Sequence, residues 1–136
     1  MTHELFVDSL NQKIKDNLNI VFYLLVFLLA VYFKLLYMNS GRYYIEHLYY
    51  VLHLISFGLI RNILLLPLIM LDWIALAMVI TIVTQLTYTF ISLKTVYLES
   101  TPLTATKVIV AMVGFVLIFL PGYLLSIAIA IFQIMA

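Results

Sequence analysis

No cysteine occurs among the 136 residues. That absence excludes disulfide frameworks, thiolate nucleophiles and cysteine-ligated metal or iron–sulfur centres, and it leaves the redox compartment undetermined. Charge is nearly as scarce. Asp, Glu, Lys and Arg make up 10% of the chain, against about 25% in an ordinary soluble domain, so the chain cannot clothe a water-facing surface. The net charge of +1 provides no cationic stripe for a phosphate backbone, which argues against nucleic acid as a partner. A glycine-rich nucleotide loop and a recognisable nucleophile–base–acid set are missing as well.

What fills the chain is apolar. Hydrophobic residues account for 66% of it, with a mean hydropathy of +1.19. Runs such as Ile20 to Phe33 and Val108 to Leu120 are continuous, whereas barrel strands alternate apolar and polar residues. The expected fold is therefore all-α: one transmembrane helical domain over residues 1–136, with spans at about 18–38, 43–66, 68–93 and 105–135, each long enough to cross the hydrocarbon core. A cleaved signal peptide is not expected, because the leading segment is mixed in charge and the first apolar run exceeds a 7–15-residue h-region.

Along the chain, Phe6, Leu10 and Ile14 fall four apart on one helical face, which predicts a short amphipathic N-terminal segment over Thr2 to Asn17 or, equally, a frayed polar terminus. Lys34 sits near the end of the first span, where it can snorkel. Asn39-Ser40-Gly41 marks a turn. Pro67 disfavours helical geometry at Leu66, which places the next boundary there and the start of the third span just beyond. Arg61 is then close to the far end of the second span, positioned to snorkel or to pair with Asp72. Trp73 suits an interfacial belt. Thr84, Gln85, Thr87, Tyr88 and Thr89 make the third span polar enough to need partners on neighbouring helices. Pro121-Gly122 predicts tilt or a kink in a fourth span longer than the bilayer core, and Gly114, Gly122 and Ser126 permit close helix approach. Hairpin-linked spans put Lys34, Arg42, Lys94 and Lys107 on one side and Lys13, Lys15 and Arg61 on the other. That balance favours both termini outside.

Candidate chemistry concentrates at the start of the second span. Glu46 and His53 are seven apart and share a helix face, with Tyr49 and Tyr50 between them and His47 turned about a quarter-turn from Glu46. Gln85, Tyr88, Arg61 and Asp72 are the candidate interhelical partners. A metal site on Glu46, His47 and His53 falls short of the usual ligand set, and no metal or cofactor is predicted. A haem would need a second axial histidine, for which only His3 or a second copy of the chain is at hand. A proton relay or quinone site through His53, Glu46, Tyr49 and Tyr50 is chemically reasonable. The bland alternative is that these groups hydrogen-bond across helices and fix packing. The richness in Tyr and Phe, 10 and 9 residues, fits belt and packing roles as readily as a pigment pocket.

The stretch GRYYIEHLYYVLHLISF from Gly41 to Phe57 resembles a bacterial family of integral membrane proteins catalogued as domain-of-unknown-function 3667. The matching positions are Arg42, Tyr44, Ile45, Glu46, His47, Leu48, His53 and Phe57, supported by Lys34-Leu35-Leu36-Tyr37 and Ser92-Leu93-Lys94-Thr95-Val96-Tyr97 in the same order of parts. Two departures stand out. Family members often carry a histidine where this chain has Ile55, and longer ones carry a cysteine-rich zinc ribbon that resembles nothing in these residues. The resemblance implies the family's membrane part and no particular activity. The leading expectation is a non-enzymatic accessory, assembly or scaffolding protein of a bacterial cytoplasmic membrane, with lipid and other membrane subunits or its own copies as partners. The alternatives are a small oligomeric transporter or proton-conducting subunit using Glu46 and His53, and a haem- or quinone-binding subunit.

Overall fold

In a computed structural model, residues 3–135 are described. Thr2, counted above in the amphipathic segment, lies outside them, as does the side chain of His3. Four helices follow in order: α1 over His3–Leu36, α2 over Tyr44–Met70, α3 over Ile74–Tyr97 and α4 over Thr101–Met135, with a short 3₁₀ turn at Met38–Ser40. All four are long and apolar enough to cross a membrane, and the described residues contain no strand. Each helix packs on its neighbours in chain order and α4 closes back on α1, giving an up-and-down four-helix bundle.

The N-terminal segment is not a separate interfacial helix. It is the first four turns of α1. The reason lies in the stripe that predicted it: Leu10 and Ile14 are half-buried, and the same helix face runs on through Val21, Leu25 and Leu29, all buried. One continuous apolar face favours one continuous helix.

The seam between α1 and α4 is the tightest part of the bundle. A Cβ on Gly114 would collide with the Tyr32 ring, and one on Gly122 would meet Leu25 at 2.5 Å. Tyr32 donates its hydroxyl to the Val110 carbonyl at 2.7 Å, and Ser126 donates to the Gly122 carbonyl at 3.0 Å. Ala30, Ala111 and Ala130 are buried in the bundle core. Small residues let two backbones approach where no hydrophobic effect drives helices together. At the terminal end of the seam, Asn17 donates to Gln133 at 3.2 Å.

Two boundaries differ from the sequence expectation. Pro67 does not end the second helix but lies within α2, which runs to Met70. In lipid every helical hydrogen bond surrendered leaves a group that no water can satisfy, so carrying Pro67 in the last turn costs less than stopping there. The stop comes at Asp72, whose φ of 58° is left-handed. Its N–H donates to the Ile69 carbonyl at 3.1 Å and that of Trp73 to the Leu68 carbonyl at 3.0 Å, which is the paired bonding of a Schellman cap. Aspartate tolerates this backbone better than most residues. Helix α4 begins at Thr101, several residues before the expected start, and α3 extends to Tyr97, leaving only Leu98 to Ser100 as the connection. Leu98 caps α3 with φ 54°, its N–H donating to the Lys94 carbonyl at 3.1 Å.

Candidate functional site: a polar column between α2 and α3

Because α2 and α3 are joined by a three-residue turn, residues equidistant from that turn face each other, and polar groups meet in a column. At the end away from the turn, Glu46 closes the N-terminus of α2. Its carboxylate accepts the Tyr43 backbone N–H at 2.7 Å and pairs with Arg42 at 3.3 Å, a placement that also suits the positive end of the helix dipole. Arg42 donates further to the Val96 carbonyl at 2.5 Å, tying the start of α2 to the end of α3. Lys34 donates to the Arg42 carbonyl at 2.9 Å and so braces the α1–α2 turn.

The next residue, His47, is fully buried. Its Nδ1 lies 2.6 Å from the Tyr97 hydroxyl and its ring stacks on that of Tyr97 at 5.6 Å. Tyr97 in turn stacks on Tyr37 with centroids 3.6 Å apart. Lys107 stands 3.9 Å over the Tyr37 ring and bonds Glu99 at 2.5 Å. Tyr37 lies in the α1–α2 connection, where burial first, and the nearby Glu99 and Tyr97 after it, push its phenol above the ordinary range. Three buried atoms of this cap have no hydrogen-bond partner among the described residues: Tyr37 Oη, His47 Nε2 and Glu99 Oε2.

Deeper again, Tyr50 bonds Ser92 at 2.8 Å and sets its ring edge-on to Phe33. His53 Nε2 lies 2.5 Å from the Tyr88 hydroxyl, while Tyr88 stacks on Phe57 at 3.7 Å. Toward the turn, Arg61 donates to Gln85 Oε1 at 2.5 Å, and Gln85 reaches Thr89 at 3.5 Å. Tyr88 thus meets His53 across the helices, while Gln85 meets Arg61 rather than Glu46 or His53. Thr84 bonds its own helix instead, at the Ile80 carbonyl, as membrane threonines commonly do.

The structure divides the sequence cluster. His47 and Tyr50 turn into the bundle, whereas Tyr49 is 71% exposed and His53 is exposed too. Glu46 and His53 share a face but not a site, since one is a helix cap and the other belongs to the Tyr88 pair. The expected Arg61–Asp72 pair does not form: the ion pairs among the described residues are Arg42–Glu46 and Lys107–Glu99. Asp72 follows Arg61 by eleven positions, roughly 16 Å at the helical rise, and Gln85 lies nearer. Among the described residues no three His, Asp or Glu side chains converge as a metal site would require. Sequence reasoning did not single out Tyr97, Ser92 or Tyr37 as site residues; the signal for Tyr97 and Ser92 is their distance from the α2–α3 turn, whereas Tyr37 enters from the α1–α2 connection. A cleft of about 280 Å³ opens beside the column, with residues of all four helices in its wall.

No family model, no curated protein and no solved structure matches the chain. The class defined by fold and site is a multi-pass helical membrane protein with an aromatic–histidine cap.

Proposed function

We propose that the protein is a non-enzymatic accessory or assembly component of a bacterial cytoplasmic membrane, akin to the membrane part of the family catalogued as domain-of-unknown-function 3667. One observation carries this reading: the chemistry-bearing side chains are engaged with one another. Glu46 holds Arg42 and the α2 terminus, His47 holds Tyr97, and His53 holds Tyr88. Such pairing fixes helix positions, which is what a structural subunit requires. Partners are other membrane subunits or further copies of the chain. The test is gentle detergent extraction from the native membrane followed by mass spectrometry of what copurifies. A stoichiometric heteromeric companion supports the reading. Turnover by the purified protein that disappears in His47→Phe overturns it.

A second reading, a proton-conducting subunit, is favoured by the buried, unpartnered His47 Nε2, Tyr37 Oη and Glu99 Oε2. Its centre would be His47 rather than the Glu46–His53 pair, because the His47 imidazole has one nitrogen bonded to Tyr97 and the other buried and unpartnered. Proton flux in liposomes that is the same for wild type and His47→Phe eliminates it.

A further inference from the structure

Arg61 is a half-buried cation of α2 that faces α3. Its guanidinium bonds the Thr81 carbonyl and Gln85, and Gln85 stands about 16 Å along α3 from its first residue, close to the middle of that helix. A guanidinium at such depth is costly and marks a functional site by default. All of its partners are neutral: Asn62 Oδ1, reached from Nε at 3.3 Å and Nη2 at 3.1 Å, Gln85 Oε1 at 2.5 Å and the Thr81 carbonyl at 3.4 Å. The acids of the described residues offer no remedy. Glu46 and Glu99 are paired at the other end of the bundle, Asp72 forms the turn, and Glu4, Asp8 and Asp16 belong to the first turns of α1. A positive charge is thus held, half-buried, at the edge of an apolar cleft with no counter-charge beside it among the described residues.

That charge borders the cleft of about 280 Å³, whose remaining wall is largely aliphatic and aromatic, with Leu29, Leu54, Gly58 and Met112 among its residues. The volume is near the lower end of roughly 300–1,000 Å³ for ligand pockets. Phe22, Leu59 and Phe115, also in the wall, are exposed on the bundle surface, so the cleft is reachable from the lipid phase. Gly58 leaves the space beside the Arg61 Nη2 clear, with nothing nearer than 3.7 Å to a Cβ placed there. An apolar slot open to lipid and closed by a lone cation calls for an apolar chain ending in an anion.

We propose that the cleft at Arg61 binds a single-chain fatty carboxylate, with its acyl chain among Leu29, Leu54 and Met112 and its head on the Arg61 guanidinium. A carboxylate matches the planar fork of arginine and neutralises it one for one. A phosphate monoester brings up to two negative charges and would leave one uncompensated in the hydrocarbon.

The test measures binding of dodecanoate to the full chain in phosphatidylcholine nanodiscs, with dodecanol, dodecyl phosphate and acetate as comparison probes. Dodecanoate should bind saturably, one per chain, and more than tenfold tighter than dodecanol. Arg61→Gln should abolish that preference and leave dodecanol binding unchanged, while Arg61→Lys should keep part of it. Gly58→Leu should block both chains by filling the slot. Were Arg61→Gln to lose its helical circular dichroism, the wild-type preference and Gly58→Leu would still decide the matter. Equal binding of dodecanoate and dodecanol by wild type, no saturable binding, undiminished binding to Gly58→Leu, a preference for dodecyl phosphate, or displacement by acetate alone would each overturn the proposal.

Discussion

Tyr97 is the residue on which most of the cap converges, being stacked on Tyr37, bonded to His47 and covered by Arg42 at 5.6 Å. Tyr97 is half-buried, so replacing it with alanine should cost about 3 kcal/mol, the lower end of the range for truncating a buried aromatic side chain, read as a lower midpoint in denaturing-detergent titration. Tyr97→Phe keeps the stack and loses the hydrogen bond, at about 1–3 kcal/mol for the His47 nitrogen left unsatisfied. The same cap sets a pH dependence. The folded state holds the Tyr37 phenol above its ordinary range, so it binds the Tyr37 proton more tightly than the unfolded chain does. Stability is then intact below a pH of about 10, the unfolded phenol value, and is lost as pH rises beyond it. Thermal melts on the alkaline side should show that loss in wild type and a smaller one in Tyr37→Phe. At the seam, Gly114→Ala should cost about 1–3 kcal/mol of overpacking, because the Tyr32 ring is pinned by its bond to Val110. Gly122→Ala should cost less, since the Leu25 side chain can shift; a larger loss at Gly122 would contradict this account. The sequence made Glu46, His47, Tyr50 and His53 visible as candidates, for polar groups are rare in such spans. It could not tell which of them turn inward, because a shared face acquires a direction only when a neighbouring helix covers it.

The helix ends show where local signals held and where they failed. The turn at Gly41, the polar demands of Gln85 and Tyr88, and the small residues of α4 were legible because each rests on a property of the residue itself. Pro67 misled because the rule that helices end before proline assumes water is available to the freed groups. The two left-handed caps, Asp72 and Leu98, carry no glycine and so gave no warning. Leu98 makes an element-scale prediction. A leucine in this region costs roughly 1–2 kcal/mol relative to the right-handed helix, so Leu98→Gly should stabilise the protein by about 1 kcal/mol, less the entropy glycine adds to the unfolded chain. A drop in the denaturation midpoint would show that the Leu98 side chain has a role of its own.

At the scale of the molecule, the all-helical, four-crossing architecture was legible from hydropathy alone, since lipid permits few other solutions. The pairing of α2 with α3 followed from the short turn between them. The Arg61 cleft did not, because it needs the positions of all four helices at once. Four crossings place the connections at Asn39 and Ser100 on one side and Asp72 on the other. Single cysteines introduced at these three sites into the cysteine-free chain should therefore label in two classes with a membrane-impermeant maleimide, Asn39 and Ser100 reacting together. The lysines and arginines near those two connections predict that they face the cytoplasm; labelling of Ser100 from the outer face of intact cells would reverse the assignment. Unequal helix lengths have a consequence for the surrounding bilayer. Helix α3 has 24 residues and α4 has 35, about 36 Å and 52 Å at the standard rise. The two flanks of the protein thus favour annular lipids of different acyl length, and membranes of mixed thickness should gather longer chains beside α4.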